Sequence, residues 1–155
     1  MSKSADVWQL LQESRLIALI NPNNPTECLE AYETLASLGV VLEIALRGDE
    51  AIPSLEYVLE KHPDALLLAG TVLTREQARN VLDIGVAGVV SADYVTAVVE
   101  ECVAADVLCV PGGLSDAGKQ LVQKADLYGM TLDQLKTQKP WQWVYKVFPA
   151  MVNPE

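Results

Sequence analysis

The sequence predicts an α/β protein built on a parallel sheet, and three observations carry that prediction. Short apolar runs recur at 16–20, 40–46, 65–69, 87–90, 107–110 and 144–148. Each is too short for a surface helix and too uniformly apolar for a strand with one wet face. Amphipathic helical patterns fill the gaps, and the alternation repeats at intervals of roughly 20 to 25 residues, the rhythm of βα units.

The elements follow in order. An opening helix is expected over 5–12, with Ser4 as its cap, packed across the end of the sheet. After the first apolar run, Asn24-Pro25-Thr26-Glu27 offers an N-cap, a proline at the first helical position and an acid at the third. Leu29, Tyr32 and Leu35 then line one face before Gly39. Asp49 or Glu50 starts the next helix, whose early turn tolerates Pro53 and which stops at His62-Pro63. Thr74-Arg75-Glu76-Gln77 is a capping box, followed by Ala78, Val81 and Leu82 and stopped near Gly85. A further helix spans 94–104. Between Val110 and Val144 the rhythm breaks, because 115–125 reads as one helix and Thr131-Leu132-Asp133-Gln134 caps a shorter one. This unit carries an insertion. With no low-complexity segment and no glycine-serine linker, residues 1–155 are expected to form a single domain.

Composition narrows the partners. Half of the 155 residues are hydrophobic, enough for one packed core. The 11 basic against 21 acidic residues give a formal charge of −10, which repels phosphate backbones and anionic lipid surfaces. Neither nucleic acid nor a membrane is an expected partner. No apolar run approaches the roughly 18 residues of a membrane span. MSKSADVWQL lacks the apolar core of a signal peptide, so a cytoplasmic protein is expected. Cys28, Cys102 and Cys109 form no CxxC pair and His62 is the single histidine, which supports neither a disulfide framework nor a metal site. His62, just before Pro63 at a helix end, reads as a capping or dipole contact.

The polar residues inside the apolar runs are more informative. In Val41-Leu42-Glu43-Ile44-Ala45-Leu46-Arg47 the period of two puts Glu43, Ala45 and Arg47 on one face and Leu42, Ile44 and Leu46 on the other. Thr71 closes the run Leu67-Leu68-Ala69-Gly70-Thr71. In WQWVYKVFP (141–149), Lys146 lies in the most aromatic part of the chain, where an unpaired buried charge costs several kcal/mol. It must reach water, find a partner or give up its proton. If helices cover the outer face, Glu43, Arg47, Thr71 and Lys146 converge on the inner one, toward the C-terminal strand ends where parallel folds place their sites. A lysine among apolar groups can have its pKa lowered from ~10.4 toward ~7 to 8, and the neutral amine then attacks a keto carbon to form an imine. Glu43 would shuttle protons and Arg47 would hold a carboxylate.

Glu43 within VLEIALRG, Gly70-Thr71-Val72-Leu73, Pro111-Gly112 and Lys146-Val147-Phe148-Pro149-Ala150 together resemble, in order and approximate spacing, the 2-keto-3-deoxy-6-phosphogluconate (KDPG) / 4-hydroxy-2-oxoglutarate (KHG) aldolase family. The resemblance runs from about Leu16 to Ala150. It implies a (β/α) barrel of TIM type assembled as a homotrimer, here with about six βα units and short at its C-terminal end relative to the family. It also implies a class I aldolase that cleaves a 2-keto-4-hydroxy acid to pyruvate and an aldehyde, without metal or cofactor. On this resemblance Lys146 is the Schiff-base lysine, Glu43 the general acid/base, and Arg47 and Thr71 hold the pyruvyl part. Gly70, Pro111 and Gly112 complete the substrate-binding set. Ser91-Ala92 stands where the family usually has serine-proline, and Met151 where FPAE has its glutamate. Two alternatives remain open: a non-catalytic aldolase-like binding or assembly module, and a 2-keto diacid decarboxylase using the same lysine imine.

Overall fold

The computed structural model describes residues 2–113 and 116–149. Helix α1 (Lys3–Ser14) leads into β1 (Ile17–Ile20), and then α2 (Pro25–Ser37), β2 (Val41–Ala45), α3 (Ala51–Lys61), β3 (Leu67–Gly70), α4 (Arg75–Ile84), β4 (Gly88–Val90), α5 (Thr96–Ala104) and β5 (Leu108–Val110) alternate strictly. Helices α6 (Ala117–Tyr128) and α7 (Leu132–Gln138) and a 3₁₀ turn (Pro140–Gln142) follow. The five strands form one parallel sheet in sequential order, β1-β2-β3-β4-β5. This is the α/β arrangement of a TIM-type (β/α) barrel, open between β1 and β5. No helix among the described residues is long and apolar enough to cross a membrane.

Strand alternation sorts the core into two layers. Leu42, Ile44, Leu67, Ala69 and Cys109 pack outward against Cys28, Leu55, Val58, Val81 and Val98 of the helices. Val41, Leu68, Leu108 and Val110 face inward, joined by Val7, Trp8 and Leu11 of α1 and by Trp141. Helix α1 plugs the N-terminal end of the sheet, as expected. Its cap differs from expectation: Ser2 accepts from the Ala5 amide, while Ser4 is buried, donating to the Asp106 carbonyl and accepting from the Leu108 amide at 3.2 Å each. A serine that satisfies the unpaired start of a strand cannot also cap its own helix.

The remaining caps follow the sequence. Asn24 accepts from the Glu27 amide, with Pro25 opening α2. Thr74 and Thr131 each form a reciprocal capping box, with Gln77 and Gln134 respectively, and Gly85 closes α4 in the left-handed region. His62 occupies the C-cap of α3, and its Nε2 lies 2.9 Å from Glu33 of α2. Ser115, expected to open a helix, and Ala150, which ends the KVFPA motif, lie outside the described residues.

The expected sixth strand at 144–148 does not join the ladder. Side chains already occupy the edge of β5. The Gln142 amide donates to the Val107 carbonyl at 2.7 Å and accepts from the Cys109 amide at 3.2 Å, the pair of bonds a neighbouring parallel strand would make. The Lys124 ammonium takes the next acceptor, the Cys109 carbonyl, at 2.7 Å. Main-chain bonds from residues 144–148 to this edge are made beyond β5, where the Lys146 amide donates to the Pro111 carbonyl at 2.7 Å and Phe148 to Gly113 at 3.4 Å.

Candidate active site

Backbone bonds extend past the named strand ends and tie the C-terminal rim of the sheet together. Leu46 donates to Gly70, Val72 to Val90 and Ser91 to Val110, while the Ser91 hydroxyl is anchored on the Val72 carbonyl at 2.8 Å. This rim positions most of the residues singled out by sequence.

Glu43 stands on the inward face of β2, paired in register with Leu19 and Leu68. It is only 4 % exposed, and its Oε1 has no hydrogen-bond partner among the described residues. The carboxylate lies over Gly70: a Cβ at that glycine would sit 2.0 Å from Oε1. Gly70 therefore provides the room in which this side chain sits. Burial raises the Glu43 pKa above the usual carboxylate value, and the positive charges of Lys146 and then Arg47 partly oppose that shift. Burial favours the protonated carboxyl while the neighbouring cations favour the carboxylate, opposed influences that suit a group that moves protons.

Arg47 lies just past β2, its backbone turned back by a 2.8 Å bond from its amide to the Ala45 carbonyl. It is exposed and, with Asn21, Pro22, Ala45, Gly48 and Ala51, lines a cavity of about 240 Å³ open to the rim. Thr71 has φ 59°, so the strand's alternation stops at Gly70 and does not carry through to it. A β-branched residue in the left-handed region is strained, and such strain concentrates where a site demands a particular backbone path.

Pro111 and Gly112 are buried at the end of β5. The Pro111 carbonyl anchors the Lys146 amide. A Cβ on Gly112 would come within 2.5 Å of the carbonyl oxygens of Ser91 and Ala92, so only glycine lets these two rim segments touch. Lys146 is half-buried, with its ammonium 4.8 Å from the Phe148 ring centroid. Of the options read from sequence it takes partial access to water, and its charge acts on Glu43 without an ion pair between them among the described residues. Among the described residues no cluster of three His, Cys, Asp or Glu side chains could hold a metal ion.

Sequence reasoning missed Lys124, the largest fully buried side chain among the described residues. Its Nζ donates to the carbonyls of Cys109 (2.7 Å), Gln142 (2.9 Å) and Val144 (2.9 Å). The available signal was periodicity, since Gln120, Leu121, Lys124 and Ala125 form the buried stripe of α6.

Residues 7–134 match the sequence model described as "Aldolase: KDPG and KHG aldolase". The chain belongs to the KDPG and KHG aldolase family. The match takes in Glu43, Arg47, Gly70, Thr71, Pro111 and Gly112 and ends before Lys146. The 2-dehydro-3-deoxy-phosphogluconate aldolase of Haemophilus influenzae is 35 % identical over 72 residues, which make up 46 % of this chain and 34 % of that enzyme. The aligned segment thus spans about a third of the length of this curated relative. Two solved structures share the fold. The 2-keto-3-deoxy-6-phosphogluconate aldolase of Zymomonas mobilis ZM4, determined with 3-phosphoglycerate, superposes with a TM-score of 0.68 at 20 % identity, covering 96 % of this chain and 77 % of that one. The KDPG aldolase of Legionella pneumophila, with pyruvate captured as a covalent carbinolamine intermediate, gives 0.67 at 19 % identity, covering 97 % and 89 %.

Proposed function

We propose that this family member is a class I aldolase that cleaves a 2-keto-4-hydroxy acid, such as 2-keto-3-deoxy-6-phosphogluconate or 4-hydroxy-2-oxoglutarate, to pyruvate and an aldehyde. The observation that carries the reading is the Glu43 carboxylate: buried, unpartnered at Oε1, and facing the positive charges of Lys146 and Arg47. A carboxylate kept free of hydrogen bonds at such a place is available to move protons.

In this reading the neutral Lys146 amine attacks the C2 keto carbon to give a carbinolamine, the kind of adduct held by the Legionella enzyme. Protonation and loss of water give the imine. Removal of the C4 hydroxyl proton breaks the C3–C4 bond, releasing the aldehyde and leaving the electron pair as an enamine. Protonation at C3 and hydrolysis then return pyruvate and the amine. Glu43 carries these protons, while Arg47 binds the carboxylate at the rim and Thr71 borders the pyruvyl part. Gly70, Pro111 and Gly112 shape the pocket through their backbones. The same proposal takes residues 1–155 as one aldolase-like unit, working as a cytoplasmic homotrimer without a cofactor.

The test is borohydride trapping with pyruvate, followed by peptide mass spectrometry. A reduced pyruvyl adduct on Lys146, absent from Lys146→Ala, is the expected result. Labelling of another lysine, or no labelling of folded protein, would refute the assignment.

A further inference from the structure

We propose that Lys124 is a positioning residue, holding the segment that carries Lys146 in its reactive place through a three-way tie among the Cys109, Gln142 and Val144 carbonyls. The inference rests on the reading of Lys146 as the imine lysine. It draws on a residue of α6 that lies outside the set singled out by sequence.

Two backbone segments run side by side without forming a ladder. At one level the Cys109 and Val144 carbonyls both point at the Lys124 Nζ, and two residues further along each segment the Lys146 amide donates to the Pro111 carbonyl. Two carbonyls cannot bond each other. An ammonium with three donors can join them, and its third donor takes the Gln142 carbonyl at 2.9 Å. Lys124 therefore replaces a missing rung. Without it, the Lys146 segment would keep the rungs beyond β5, the packing of Val144 on the inner core and the covalent turn through Trp143.

The charge is held where it is costly. Burial pushes the Lys124 ammonium down to about 8, opposed by the neighbouring Cys109 and Cys102 thiols. An uncharged side chain would avoid that penalty but would leave three carbonyls unpaired, two of them in buried bonds. A retained charge with matched acceptors fits a geometric duty better than a solvation accident, since this side chain is 0 % exposed.

The test compares the wild type with Lys124→Met, which removes all three donors, and Lys124→Gln, which keeps two. In Lys124→Met, hydrogen exchange at the Lys146 amide should accelerate at least tenfold while the Leu68 and Ala69 amides of β3 remain protected. The rate of pyruvate imine formation at saturation should fall about 100-fold, the cost of a misplacement near 1 Å, with KM changed less than about threefold. Lys124→Gln should fall between. Unchanged Lys146 exchange, or a rise in KM with no change in maximal rate, would overturn the proposal. So would loss of the whole fold in both variants, which would make Lys124 a general core residue. If wild-type labelling falls on another lysine, the functional reading fails while the exchange result still decides the tie.

Discussion

Replacing Gly70 with alanine should separate the amount of imine formed at equilibrium from the rate of proton transfer. Gly70 does not have a positive φ, so alanine is acceptable to the backbone there. The new methyl group would nevertheless sit 2.0 Å from the Glu43 Oε1, 2.8 Å from its Cδ and 2.9 Å from its Cγ. Ordinary contact begins near 3.4 Å, so the carboxylate must retreat by the difference between 3.4 and 2.0, about 1.4 Å. The obstacle is a side-chain end rather than main chain, so the fold should survive. The change in unfolding free energy should stay within about 1 kcal/mol, the lost glycine flexibility partly offsetting the shift of Glu43. A displacement of about 1 Å in a reacting group costs on the order of 100-fold in rate, equivalent to roughly 2.7 kcal/mol in the barrier. The assay is exchange of the pyruvate methyl protons in D₂O followed by NMR, alongside borohydride trapping. Trapping after equilibration should persist within a few-fold, since a displaced Glu43 slows imine formation without changing its equilibrium extent, while the rate of methyl exchange drops about 100-fold. Wild-type exchange in Gly70→Ala would show that Glu43 does not carry the proton.

Glu43→Gln should lower kcat by about 100-fold or more, and should also stabilise the protein at pH 7. The sign follows from the raised folded-state pKa. The neutral acid's contribution is fully present below the unfolded pKa and is lost as pH rises through the raised folded value. Urea midpoints between pH 4 and 8 should therefore fall with pH more steeply in the wild type than in the variant. Thr71→Gly relieves a left-handed φ of 59° and should raise stability by about 1 kcal/mol while raising KM for pyruvate, checked by thermal melts and steady-state kinetics. A destabilised Thr71→Gly would mean that this backbone is not strained.

How much of this was legible depended on whether a residue's partner lies on its own element. The strands were readable because a doubly covered parallel sheet demands unbroken apolar runs, and β2 is buried at all five positions, Glu43 included. That same rule made Glu43 conspicuous. Thr74 and Asn24 were readable because a cap bonds an amide only three residues away. Ser4 was misjudged because its partners, Asp106 and Leu108, are far along the chain. The 144–148 segment has the composition of a strand, but its pairing depends on whether the neighbouring edge is vacant, and Gln142 and Lys124 take that edge. No local pattern announces that a lysine will be fully buried against carbonyls. Likewise, the alternation that placed Glu43 correctly could not place Thr71, whose φ leaves the strand region.

The sequential strand order has a consequence for how the chain can be built. Ile17 pairs with Val41, Leu42 with Leu67, Leu68 with Gly88, and Gly88 with Leu108, so every new strand closes a loop of similar length onto the strand before it. Doubling a loop adds only about 0.6 kcal/mol to its closure cost, so the four closures are nearly equal steps. No strand must wait for one made much later. A nascent chain emerging from the ribosome can therefore add βα units in order of synthesis, with a single growing edge exposed at each stage. After β5 the next residues to emerge bring Lys124 and Gln142, whose side chains occupy that edge in the folded chain.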